Sequence, residues 1–506
     1  MGGGAARSVT LYSLVSPAIL TFSNSLSTPD TISGTGVIGG VTGLTEAGDG
    51  SVVVSTNNSY TGISRVNEGS LNINSLRDVG VTSALGAPIN TTNGLIILGS
   101  AGKTGTLIYT GGVASTNRPI RIGSNSTTPV VTDIGGAVIQ NDGSSTLCFT
   151  ASPLNTQLNA TTGVSADRIL TLQGSNTDFN IITGIIRDNA VTAPATGTAT
   201  VGFTKSGVGT WVISGVNTYT GLTTVTDGTL LINSASTNTS TGAVTVSGGT
   251  LGGTGTIKGN TTVGTAGSLA PGITAGMLTF TGTLDISAVA TGGAGKLVFG
   301  LNTLARTSDK IALTGASSAL SIGTDVLGFS DFTFSNLGGL EVGTYKLITS
   351  ANAVTGSLDP ILANRSGAIG GFVGTLQFNG DDLELLVEVG TVSNYAGWAS
   401  DPLKGNILGE PGSGDFDNDG ITNIVEYALG KNPRVSSQPA GLMSGNVITY
   451  TKGADAIANG DVFWVIETSQ TLATGSWTPQ VTQAANNPTA TIAYTLTLGS
   501  PAFASG

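Results

Sequence analysis

Apolar residues alternate with polar ones through most of the chain, in short segments. In Gly48–Asn74 the apolar positions include Val52, Val54, Leu71 and Ile73. In Gly207–Asn233 they are Trp211, Ile213, Leu230 and Ile232. A period of two places such residues on one face of a strand. The two stretches align without a gap at an offset of 159, with 13 of 27 positions identical. Gly62/Gly221 and Gly69/Gly228 fall between the predicted strands, where glycine turns tight corners. Asn58/Asn217 and Asn74/Asn233 sit at strand ends, and the expectation there is left-handed corner geometry. One unit is too small to bury its own apolar face. Stacked on its neighbours it can, which is the logic of a solenoid.

Further alternating segments follow: Leu95–Leu98, Thr106–Tyr109, Ile120–Ile122, Ala137–Ile139, Thr146–Phe149, Ile169–Leu172 and Ile181–Ile186. Each is bounded by turn-forming residues. Strands shorten and glycine increases up to Gly282; from Asp285 to Val389 the segments lengthen, as closing coils with a more irregular cap. With about 20–27 residues per coil, the region holds roughly 14–18 coils.

The string SGVNTYTGLTTVTDGTL, Ser214 to Leu230, resembles the autotransporter-associated β-strand repeat, also called the passenger-associated transport repeat. The stretch from Val246 to Gly272 resembles what commonly follows it. The resemblance implies a right-handed parallel β-helix in a large exported bacterial protein. The expected organisation is a solenoid over 1–390 with repeats at 48–74 and 207–233. A linker over 391–414, a calcium-binding loop and short helix over 415–433, and a small C-terminal β module over 440–506 follow. The fold class is thus all-β, apart from that short helix.

Glycine supplies 77 of 506 residues and only 10% are charged, a composition shared with disordered chains. The 39% apolar content and regular alternation favour an ordered all-β fold. A net charge of −11, with 19 thinly spread basic residues, argues against nucleic-acid binding. No apolar run is long enough for a transmembrane helix. The first twenty residues hold one cation, Arg7, and no continuous apolar core, so they do not read as a signal peptide. About 115 residues follow the solenoid. That is too few for the usual autotransporter barrel, so another export route is expected.

The strongest chemical motif is DFDNDGITNIVE, Asp415 to Glu426, which fits the twelve-position calcium loop. Asp415, Asp417 and Asp419 take positions one, three and five. Gly420 turns the chain, Ile421 offers its carbonyl at seven, Asn423 stands at nine and Glu426 at twelve. Calcium needs many hard oxygens from a flexible loop, which this pattern provides. IVEYALG then forms a short helix, with Gly430 as its C-terminal cap. No entering helix precedes the loop. It therefore resembles the single calcium loops of dockerin-like and thrombospondin type 3-like modules, not a full EF-hand.

Other motifs point away from catalysis. Ser100 and Lys103 form an S-x-x-K overlapped by K-T-G, but in a turn, and without the helix that such enzymes and P-loops require. The chain has no histidine and one cysteine, which removes Ser-His-Asp and Cys-His machinery and structural zinc. In the strand around Cys148, parity places Leu147 and Phe149 on one face and the thiol on the other. Asp309/Lys310 near Arg306, and Asp381/Asp382, are the charge clusters a polysaccharide lyase or hydrolase could use; charged pairs at turns are more often solvated. Thr-x-Thr pairs such as Thr279/Thr281/Thr283 and Thr254/Thr256 recur at no fixed spacing, which points to β-propensity.

The function expected is a secreted or cell-surface structural or adhesive protein, non-catalytic, with a calcium-stabilised C-terminal region. Its expected partners are glycans or other cell-surface proteins. A polysaccharide-active β-helix enzyme and a subunit that self-associates end to end into filaments are the alternatives.

Overall fold

A computed structural model describes residues 7–25, 29–100, 102–123, 136–151, 167–188, 200–234, 240–272, 275–291, 293–303, 308–389, 395–401, 404–407, 410–436, 441–469, 474, 476–485 and 487–496. The chain divides into two compact units: residues 1–367 with 375–387, and residues 368–374 with 388–506.

The first unit is a parallel β-helix. Fourteen strands stack in one sheet, from Ser8–Leu11 to Val354–Leu358. A nine-stranded sheet runs from Ala114–Thr116 to Phe332–Asn336. A five-stranded sheet joins Leu20–Phe22, Leu44–Glu46, Ser64–Val66, Ile96–Leu98 and Ile120–Ile122. A seven-stranded sheet begins at Thr256–Ile257. It turns antiparallel where Gly343–Ser350 meets Asp382–Val389. Parallel pairing is what a solenoid requires, because each coil returns in the same direction. The antiparallel strand ends that ladder.

Stability comes from inward columns. Leu71, Leu107, Ile139, Leu172, Lys205, Val225, Val246 and Val263 lie in one register across eight coils. All are buried. Each aliphatic member contributes roughly 1.5–3 kcal/mol by leaving water. Trp211, Leu230, Leu251, Leu269, Leu297 and Phe332 form a second column in the nine-stranded sheet.

Coil length is uneven. Thr245 pairs with Thr262, 17 residues on, whereas Ser70 pairs with Thr106, 36 residues on. The spacing thus runs both below and above the 20–27 residues expected, and in the longer coils the extra residues enter loops between the paired strands.

Hydroxyl residues clip successive coils together. Ser55, Thr110, Thr150, Thr183, Ser214, Thr226 and Ser247 each stand directly after a strand. Each gives its backbone N–H to one carbonyl of the preceding coil. Its Oγ donates to the same carbonyl, at 3.0 to 3.4 Å. A carbonyl has two lone pairs, so it can serve both donors.

The repeat asparagines have a different part from the one expected. Among the described residues, only Asn406 and Asn418 are non-glycine residues with positive φ. Asn58 is instead fully buried. Its Oδ1 accepts from the Ile38 N–H at 3.0 Å and its Nδ2 donates to the Ala84 carbonyl at 3.0 Å. Asn217 accepts from the Ile186 N–H at 2.9 Å and donates to Ser234 Oγ at 3.2 Å. Each side chain pairs backbone at a corner where no ladder reaches, and leaving such groups unpaired is costly. Gly69 and Gly228 do hold left-handed φ, +66° and +61°.

The second unit is small and mixed. Gly441–Ser444, Val447–Thr451 and Thr491–Thr495 form an antiparallel sheet. Trp464–Thr468 pairs antiparallel with Thr478–Gln483. Its core gathers Trp398, Ala399, Ile407, Tyr427, Leu429, Ala456, Trp464, Ile466 and Ile492. The stretch expected to be a linker therefore carries a helix, Tyr395–Ser400, whose Trp398 ring lies 5.4 Å from that of Tyr427. The loop-helix and the terminal strands share this core, so they form one unit where two segments were expected. The final residues SPAFASG and Arg306 lie outside the described residues. No helix among the described residues is long and apolar enough to cross a membrane.

Candidate metal centre

The segment after Pro411 folds on itself because its polar side chains serve its own backbone. Asp415 Oδ1 accepts from the Asp419 N–H at 3.2 Å, and its Oδ2 from Gly420 at 2.8 Å. Asp419 Oδ1 accepts from Ile421 at 2.8 Å. Asn418 takes left-handed φ, +59°, which asparagine tolerates, and Gly420 follows at +91°. The loop feeds the helix Asn423–Leu429, which ends at Gly430 in the left-handed cap, φ +65°.

These turns bring carboxylate oxygens of Asp415, Asp417 and Asp419 within 4.8 Å of one another. Both Asp417 oxygens are shut off from solvent and make no hydrogen bond. Burial, then the charges of Asp419 and Asp415, push its carboxyl above its ordinary value. A divalent cation would relieve that repulsion and supply the missing partner. A carboxylate has about four lone-pair sites, so Asp415 and Asp419 keep capacity beyond their backbone bonds. The donor set is all hard oxygen, which suits calcium.

The remaining loop positions are placed differently. Glu426 is fully buried and lies outside the aspartate cluster. Asn423 is buried and braces the loop. Its Oδ1 accepts from Phe416 N–H at 3.1 Å and its Nδ2 donates to the Pro411 carbonyl at 3.2 Å. Ile421 stands at the turn with its N–H held by Asp419.

The other sequence candidates resolve into structure. Asp309 is buried and accepts from the N–H groups of Gly276 at 2.9 Å and Gly300 at 2.7 Å. Asp382 pairs with Lys346 at 2.8 Å and accepts from Ser350. Ser100 and Lys103 bridge each other, and Lys103 pairs with Glu68. Cys148 points away from the buried Leu147 and Phe149, and burial raises its thiol pKa.

Among the buried charged residues that the sequence reading did not single out is an equivalent pair in the two repeats. Glu46 and Lys205 are both fully buried in apolar columns. Lys205 Nζ spends three donors on the carbonyls of Ser206, Gly207 and Asp227, at 2.8, 2.5 and 3.0 Å. Burial pushes its pKa down to about 8. Glu46 Oε1 accepts from Gly48 N–H at 2.8 Å, while Oε2 is buried without a hydrogen bond. Burial pushes that carboxyl up to about 7. The offset of 159, carried upstream of Gly48, pairs these two positions.

The passenger-associated transport repeat matches residues 44–73 and 203–232. Over 244 residues, 37% of this chain, the sequence is 29% identical to the adhesin BmaC autotransporter of Brucella suis biovar 1 (strain 1330). The chain spans 7% of that protein's length. The chain thus carries two copies of the autotransporter-associated repeat, both folded as coils of one parallel β-helix.

Proposed function

We propose that the chain is a displayed adhesive segment at the bacterial cell surface or outside the cell, non-catalytic, with a calcium-ordered second unit. The observation that carries this reading is the alignment of 37% of the chain with a bacterial adhesin. A parallel β-helix holds a long outer face at fixed spacing, which suits contact with glycans or cell-surface proteins. The buried carboxylate of Asp309 is committed to backbone amides, which disfavours a glycan-cleaving site there. Purified chain immobilised on beads should retain host cells or glycan-coated surfaces. Absence of retention on every surface would sink adhesion. New reducing or unsaturated sugar ends after incubation with polysaccharides would overturn the non-catalytic part.

In the second unit, Asp415, Asp417 and Asp419 hold calcium with the Ile421 carbonyl, Glu426 joins them as the loop closes on the ion, and Asn423 braces the loop. Calcium at a hundredfold excess over its dissociation constant adds about 2.7 kcal/mol. Chelation should therefore lower the melting temperature of this unit, and Asp417→Ala or Glu426→Ala should remove the calcium response. A melting curve indifferent to chelator ends the claim.

A further inference from the structure

The five-stranded sheet presents an unusual row on its outer face, exposed or half-buried except at Ile97, which is buried. Thr21, Thr45, Arg65, Ile97 and Arg121 lie in one register, one per strand. Arg65 opens on a cleft of about 430 Å³ shared with Thr21, Thr45, Asn93, Ile19 and Val41. Among the described residues, the side chains of Thr21, Thr45, Arg65 and Asn93 make no hydrogen bond or ion pair. Arg121 Nε is buried and also lacks a hydrogen bond. Arg168 lies close by and donates to the Ile122 carbonyl. Arg65 and Arg121 thus share one face of a chain with net charge −11, with the buried Arg168 of the fourteen-stranded sheet behind Ile122. Burial, then Arg65 and Arg168, push the Arg121 pKa down to about 10. Like charges assembled this way are relieved by an anion.

We propose that this cleft binds an acidic sugar residue of a glycan, its carboxylate or sulfate oxygens on the Arg65 guanidinium. A planar guanidinium matches such oxyanions with two parallel hydrogen bonds. Thr21, Thr45 and Asn93 supply donors and acceptors for ring hydroxyls. Ile19 and Val41, 79% and 91% exposed, form an apolar rim for the C–H face of the ring. A bare inorganic anion uses neither the rim nor the hydroxyls, so the cleft fits the sugar better. The proposal rests on the adhesive reading and names its ligand.

Titrating the full chain with trigalacturonate, a heparin-derived hexasaccharide, maltotriose and sodium sulfate tests it. At least one acidic oligosaccharide should bind, about tenfold or more tighter than maltotriose, with affinity falling as salt rises. Arg65→Gln should weaken that binding about tenfold or more. Thr45→Val should weaken it less, and Lys103→Gln should leave it unchanged. The melting temperature of each variant reports whether it folds. Equal affinity for maltotriose, sulfate binding as tight as sugar binding, or a folded Arg65→Gln that binds as the parent does would each overturn the proposal. Surface retention that persists in Arg65→Gln, with no oligosaccharide bound, sinks this site and spares adhesion. Sugar binding without any surface retention does the reverse.

Discussion

The two copies of the repeat, residues 44–73 and 203–232, place opposite charges at one inward position. Glu46 meets the problem of burial with an amide of its own turn, and Lys205 with three carbonyls. The same turn offers both kinds of backbone group, so either charge can be partnered. The copies also differ in which sheet they enter. Ser51–Val54 and Gly69–Ile73 belong to the fourteen-stranded sheet, but their equivalents Thr210–Ile213 and Thr229–Ile232 belong to the nine-stranded one. What stays constant is the corner. Tyr60 reaches Ser64 and Tyr219 reaches Thr223, both at 2.9 Å. Ser55 and Ser214 both clip to the coil before. The repeat therefore encodes a corner with two inward strands, and the position around the coil comes from elsewhere.

The comparison breaks most easily at its largest size difference. Trp211 fills the place that Val52 takes in the first copy, and its Nε1 donates to the Gln173 carbonyl at 3.1 Å. Trp211→Ala should cost about 3–5 kcal/mol and Val52→Ala roughly 1–3. Hydrogen exchange in the coils around each position would measure both, since a solenoid opens locally. Equal costs would show that the copies are energetically interchangeable.

The asparagines sharpen the shared part. If Asn58 and Asn217 pair backbone across corners, glycine cannot replace them; Asn58→Gly and Asn217→Gly should each lose about 1–3 kcal/mol in thermal melts. Tolerance of glycine would restore the left-handed corner.

Glu46 gives the copies different pH responses. Its carboxyl rises from an ordinary 4.5 to about 7 on folding. The folded chain then keeps a proton that the unfolded chain has released. That contribution is full below about pH 4.5 and is lost as pH rises through about 7. Lys205 is lowered from 10.5 to about 8, so the unfolded chain binds the extra proton and stability rises between those values. Glu46→Gln should flatten melting temperature between pH 5 and 8, by on the order of 2 kcal/mol at the upper end. An unchanged pH profile counts against a titrating Glu46. The smallest effect belongs to the tyrosines: Tyr60→Phe and Tyr219→Phe should each cost about 0.5–1.5 kcal/mol in chemical denaturation.

Much of the solenoid was legible because strand parity and corner residues are local. Val52, Val54, Leu71 and Ile73 all face inward as their spacing requires. The aspartate loop was equally legible, since Gly420 and three alternate aspartates lie within six residues. Asn58 misled because its partners Ile38 and Ala84 lie one coil away on either side. The helix Tyr395–Ser400 was missed because it carries too few turns to show a period; its packing on Tyr427 decides it.

Threonine shows the same division. Thr171, Thr204, Thr224, Thr245 and Thr262 stand in one outward column of adjacent coils. Their sequence spacing is irregular, so no repeat length reveals it. By itself the sequence determined which face of each strand is apolar, where the chain turns, and which loop gathers hard oxygens. Those features depend on neighbours a few residues apart. Only the tertiary structure decided which strands stack, which sheet each repeat enters, and how Arg65 and Arg121 come to share a face. Register between coils is set by burying whole inward columns at once, and strands 17 to 36 residues apart carry no local signal of it.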